Sequence, residues 1–175
     1  MKRHLIRLSC LACLAAVLPL AAAGTAEAKS PKCHGRTATI VGTSGKDVIR
    51  GTSHRDVIVA GAGNDRVSGR GGNDVICSGR GRDKVKGGAG RDRVFGGSGR
   101  DRLSGGSGDD VEHGDEGNDV LNGDEGNDDL HGDEGNDEVH GDEGNDDCQR
   151  DEGDDGQVGD HDDGQIGDDH GGSDG

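Results

Sequence analysis

Twelve aspartates recur at intervals of nine: Asp47, Asp56, Asp65, Asp74, Asp83, Asp92, Asp101, Asp110, Asp119, Asp128, Asp137 and Asp146. They fill the sixth position of a nine-residue frame that runs from Gly42 to Gln149, 108 residues, without a slip. A carboxylate repeated at constant spacing presents the same hard anionic oxygen many times in the same local setting. The chemistry that suits it is the binding of a hard cation. Calcium takes about six to eight oxygen ligands in flexible geometry, whereas magnesium holds its water too tightly for a cage of carboxylates and peptide carbonyls. The helix–loop–helix calcium loop is excluded, because no segment places Asp at one, three and five, Gly at six and Glu at twelve. Asp160 to Gly164 comes nearest, with its glycine one place early.

The rest of the frame says what must position these carboxylates. The fourth position is Gly in eleven units, His54 being the exception. The eighth is aliphatic in ten: Ile49, Ile58, Val67, Ile76, Val85, Val94, Leu103, Leu121, Leu130 and Val139, with Glu112 and Cys148 as departures. Glycine permits left-handed or closely approaching backbone. Where the second position is not Gly it is often Asp, as at Asp115, Asp124, Asp133 and Asp142, a residue that tolerates the left-handed region better than most. Each unit therefore divides into a turn and a three-residue extended segment with its middle residue inward, as in Arg93-Val94-Phe95. A strand so short is stable only when stacked in register on its neighbours, which is the logic of a solenoid.

The units GGAGRDRVF at 87–95 and GGSGRDRLS at 96–104 match the G-G-x-G-x-D-x-U-x pattern, and the chain resembles the RTX, or hemolysin-type, calcium-binding nonapeptide-repeat family. The stretch from Cys33 to Cys77 is similar to that family's small secreted members, which carry an export signal and no catalytic domain. The resemblance implies an all-β, right-handed parallel β-roll with two repeats per turn and Ca²⁺ between stacked turns. It further implies that sixth-position aspartates of repeats n and n+2, such as Asp92 with Asp110 or Asp119 with Asp137, share an ion with backbone carbonyls.

Residues 1–28 read as a secretory signal: Lys2, Arg3 and Arg7 precede an apolar run from Leu8 to Ala23, and Ala26-Glu27-Ala28 fits a cleavage site. Export is expected rather than membrane insertion, since the run is shorter than the roughly 20 residues of a membrane span. Residues 29–41 are expected to cap the roll, with Ile40 inward and Ala38 where an aspartate would stand. Residues 42–149 form the roll, and 150–175 a disordered acidic tail of degenerate repeats. Glu112 at an inward position suggests a local shift of its strand. In the oxidising setting beyond the signal, Cys33, Cys77 and Cys148 remain. Cys33 is expected to bond to Cys77, with Cys77 to Cys148 as the alternative, and Cys148 to be left unpaired or intermolecular.

Composition bounds the function. Leu, Ile, Val and Phe make up 29 of 175 residues, there are 37 glycines, and the formal charge is −16, so hydrophobic burial alone does not order this chain. A bound ion is the expected source of the missing ordering force. Residues 42–104 hold 13 Lys or Arg against 7 Asp, whereas 105–175 hold Arg150 alone against 28 acids. The basic half would suit an anionic cell-wall polymer or self-association, or simply neutralise the acidic half. Phe95 is the one aromatic residue of the Phe, Tyr and Trp class, which argues against nucleic-acid binding. His113, His131 and His140 share the outward ninth position and read as polar filler. With no H-E-x-x-H or G-x-S-x-G motif, the expectation is a non-catalytic secreted calcium-binding protein, with an extracellular adhesin or wall-associated scaffold as the alternative.

Overall fold

A computed structural model describes residues 30–149. The signal at 1–28 and the tail at 150–175 lie outside them. The described chain is all β, with strands β1 (Lys32–Cys33), β2 (Arg36–Thr37), β3 (Ile40–Val41), β4 (Val48–Arg50), β5 (Val57–Ala62), β6 (Arg66–Gly71), β7 (Val75–Gly81), β8 (Lys84–Ala89), β9 (Arg93–Gly99), β10 (Arg102–Ser107), β11 (Val111–Gly117), β12 (Val120–Glu125), β13 (Asp129–His131), β14 (Glu138–His140) and β15 (Asp147–Gln149). Alternate repeats feed opposite sheets. One has six strands in the order β4-β6-β8-β10-β12-β14, the other seven in the order β3-β5-β7-β9-β11-β13-β15, and all these pairings are parallel. Register steps by eighteen residues, Leu103 on Leu121 and Ile58 on Ile76, so two nonapeptides make one turn and the roll has about six turns.

The eighth-position side chains meet between the sheets. Ile49, Ile58, Val67, Ile76, Val85, Val94, Leu103, Leu121, Leu130 and Val139 form one core with Ala60, and Ile40 packs on its end. This core is one residue deep from each side, which is what an isolated inward residue per three-residue segment dictates. Two expectations are corrected. In the middle of the roll the strands span six or seven residues rather than three, as in β9 and β11, because the first positions of the next repeat continue the ladder. Glu112 does not shift its strand: it pairs in register with Val94 and Leu130 and is fully buried. The backbone ladder on both sides outweighs the preference of one side chain for water.

At the N-terminus β1 and β2 form an antiparallel hairpin that folds back over the seven-stranded sheet. Cys33 is buried in a cluster with Val57, Val75 and Phe95 and is disulfide-bonded to Cys77 at a Cα–Cα distance of 5.7 Å. His34 stacks on Phe95 with ring centroids 3.6 Å apart, and the stack continues through His113 to His131. His113 and His131 thus extend an aromatic ladder instead of standing as separate polar filler, while His140 lies on the other sheet beside Glu138. Cys148 lies outside the disulfide and is exposed.

Candidate metal centre

Parallel stacking brings the sixth-position aspartates into two files, one along each edge of the roll. Within a file each carboxylate reaches back one turn: Oδ1 of Asp65 accepts a hydrogen bond from the Asp47 amide at 2.8 Å, and the same bond joins Asp74 to Asp56, Asp83 to Asp65, Asp92 to Asp74, Asp101 to Asp83, Asp110 to Asp92, Asp119 to Asp101, Asp128 to Asp110, Asp137 to Asp119 and Asp146 to Asp128, at 2.7–2.9 Å. Aspartate every nine residues, with two repeats per turn, builds two such files.

The second oxygen has a different fate along the roll. In the first turn it is satisfied by the second-position threonine: Thr43 donates its amide and hydroxyl to Asp47 Oδ2 at 2.7 and 2.9 Å, and Thr52 does the same for Asp56. From the third repeat the second position is Gly, Arg or Asp, which offers no such hydroxyl. In Asp65, Asp74, Asp83, Asp92, Asp101, Asp110, Asp119 and Asp128, Oδ2 is buried without a hydrogen-bond partner. That is an expensive arrangement for a charged oxygen.

The cost is visible in the acidities. Burial, opposed by the amide of the preceding aspartate and reinforced by neighbouring carboxylates, pushes Asp101 and Asp110 up to about 7. The same causes push Asp92, Asp119 and Asp128 up to about 6. Burial also raises Asp74 and Asp83, against the lowering influence of the Asp56 and Asp65 amides from which they accept.

Space and donors beside Oδ2 suit a hard cation. A Cβ at Gly96 would lie 2.6 Å from the Gly114 carbonyl oxygen and 2.9 Å from Asp101 Oδ2; at Gly114 it would lie 2.5 Å from the Gly132 carbonyl and 2.8 Å from Asp119 Oδ2. The first-position glycine therefore keeps a cradle between a carboxylate and the next turn's carbonyl. This position, Gly in ten of twelve units, is the functional feature that the sequence reading passed over. Its two exceptions are Ala60 and Ser78, and the Ser78 hydroxyl donates to the Gly96 carbonyl at 2.5 Å. Among the described residues no three His, Cys, Asp or Glu side chains gather as a metal site, so a cation here depends on backbone carbonyls for much of its shell. Oxygen-only, flexible and partly peptidic donors fit Ca²⁺ and not a transition metal.

The extra acids of the later repeats play another part. Asp115, Asp124, Asp133 and Asp142 take left-handed backbone, φ 64–69°. Asp115 accepts from the Gly97 amide at 3.0 Å, Asp124 from the Ser104 hydroxyl at 2.6 Å, and Asp133 pairs with His113 at 3.0 Å. Asp115, Asp124 and Asp133 thus tie the outer faces of successive turns together.

A family model for the RTX calcium-binding nonapeptide repeat matches in four copies, at residues 37–58, 50–85, 78–112 and 113–155. Neither the comparison with curated proteins nor that with solved structures gave a match. With the nonapeptide register, the parallel roll and a repeat match across residues 37–155 in agreement, the chain belongs to the RTX calcium-binding nonapeptide-repeat family.

Proposed function

We propose that this is a secreted, non-catalytic protein whose roll is completed by Ca²⁺ bound at the sixth-position aspartates. The observation that carries the reading is the file of buried, partnerless Oδ2 atoms from Asp65 to Asp128. A divalent cation beside each would neutralise two carboxylates one turn apart and would draw on the carbonyls that line the glycine cradle. Asp65, Asp74, Asp83, Asp92, Asp101, Asp110, Asp119, Asp128, Asp137 and Asp146 are the proposed ligands. Asp47 and Asp56, already held by Thr43 and Thr52, are proposed as the weakest contributors. Export is supported by the signal-like first 28 residues and by the Cys33–Cys77 disulfide, which belongs in an oxidising compartment.

Binding and folding are one equilibrium in this reading, because the ion site exists only when turns are stacked. Titration with calcium, followed by circular dichroism at neutral pH, should raise β signal at roughly 10⁻⁴ to 10⁻³ M, as in extracellular modules. Excess chelator should reverse it. A chain equally β-rich and compact in excess chelator would overturn the proposal.

A further inference from the structure

The outer face of the six-stranded sheet is divided by charge along the roll axis. Arg66, Lys84 and Arg102 stand directly over one another on β6, β8 and β10. Arg50, Arg70 and Lys86 are exposed on the same face. One strand further, the signs reverse: Asp124 and Glu125 end β12, Glu138 opens β14, and Asp142 and Glu143 follow it. Asp124 sits in the row of Gly88 and Gly106, and Glu143 bridges to Glu125.

Like charges in adjacent rows of a sheet repel, and among the described residues none of these cations has a carboxylate within ion-pair distance. Among the described residues the Lys or Arg ion pair is Arg91 with Asp109, elsewhere on the roll. The opposite sheet is partly covered by the disulfide-anchored hairpin. Among the described residues nothing covers the six-stranded face, and its two halves complement each other rather than themselves.

We propose that this face is a self-complementary contact surface on which two copies of the chain pair, with roll axes antiparallel and two-fold symmetry. Charge selects the register. Full antiparallel overlap would set Lys84 and Lys86 against Arg102 of the second copy. A slip of two turns sets β8 against β14 and β10 against β12 of the second copy, basic strands over acidic ones, with Lys84 facing Glu138 at the same position along the strand. A symmetric contact forms each pairing twice. A linear polyanion would engage the cations but would be repelled by the acids; a second copy uses both halves.

Four strands about 4.8 Å apart and about six residues long present roughly 400 Å² per copy, half of a standard interface. A contact of that size is weak and transient and dissolves as salt screens the charges. The inference needs a folded roll and goes beyond the calcium reading; circular dichroism of each sample reports the fold separately from association.

Sedimentation velocity of the mature chain with calcium, as a concentration series at low and high salt, tests it. The wild type should shift toward dimer with concentration at low salt only. A Lys84→Glu/Lys86→Glu/Arg102→Glu chain and a Glu125→Lys/Glu138→Lys/Glu143→Lys chain should each keep the wild-type β signal and sediment as monomers, and an equimolar mixture of the two should recover the dimer. A wild type that stays monomeric at every concentration, whether or not it binds polyphosphate, overturns the proposal. So do variants that dimerise alone, or a folded mixture that fails to associate.

Discussion

The backbone amide of Asp101 donates to Oδ1 of Asp119 at 2.7 Å, across eighteen residues of sequence and one turn of the roll. This bond leaves Asp119 with one oxygen spent on holding the turns in register and one buried without a partner. Repeated along both files, it makes stacking and ion binding parts of one event: the turns that bring the carboxylates together also desolvate them.

In the calcium-free chain, protons should substitute in part for the ion. Asp92, Asp101, Asp110, Asp119 and Asp128 stand at about 6 to 7 in the fold, against an ordinary value of 3.8. The fold therefore binds protons more tightly than the unfolded chain does. That stabilisation is fully present below the unfolded value and is lost as pH rises through 6 to 7. Acidifying the chelated protein from about pH 7.5 to about 4 should raise its β circular dichroism signal, with little further gain below. A signal that falls on acidification would contradict this origin of the calcium requirement.

Glu112 is a second, independent handicap. It is fully buried between Val94 and Leu130, and burial with the nearby Asp110 and Asp128 carboxylates pushes its pKa far up. Glu112→Leu would continue the aliphatic file and should stabilise the roll by about 2 kcal/mol. The calcium midpoint should fall accordingly, and Glu112→Gln should give a smaller gain. An unchanged or raised midpoint for the leucine variant would show that the carboxyl has a stabilising partner.

The glycine cradle makes a size-based prediction. Gly96→Ala places a methyl group against the Gly114 carbonyl and Asp101 Oδ2, and should cost about 1–3 kcal/mol together with loss of one bound ion. Ser78→Gly, which opens the equivalent cradle beside Asp83, should improve binding. Calorimetric stoichiometry separates the two: equal ion counts for wild type and Gly96→Ala would place the ions elsewhere.

The Cys33–Cys77 bond closes a separation of 44 residues and is worth about 4 kcal/mol in the chain-entropy account. Replacing both cysteines by serine should release the hairpin first. Hydrogen exchange should accelerate at Val57–Val59 and Val75–Cys77, beneath the cap, and stay slow around Leu103 and Leu121. Uniform acceleration along the whole roll would assign the disulfide a global role instead.

The repeat phase, the aspartate files and the core were legible because each depends on period alone. A nine-residue spacing of Asp and aliphatic residues admits few stackings, and Asp115, Asp124, Asp133 and Asp142 were rightly read as left-handed. What escaped depends on neighbours eighteen residues away. The sequence places Arg100 and Arg102 beside Asp101, yet Arg100 acts on Asp119, lowering its pKa, while Arg102 stands on the outer face of β10. The sequence reading assigned no part to Thr43 and Thr52, whose hydroxyls the turn folds onto Asp47 and Asp56. Glu112 stays in register because the cost of one buried carboxyl is smaller than that of breaking two parallel ladders.

The most direct test of the central claim is the anomalous scattering of calcium in crystals of the mature protein grown with the ion. Peaks beside Oδ2 of Asp74, Asp92, Asp101, Asp110, Asp119 and Asp128, within bonding distance of a carbonyl from the adjacent turn, are the expected result. Peaks confined to the outer acids such as Glu125, Glu138 and Glu143, with the buried aspartate files bare, would contradict it.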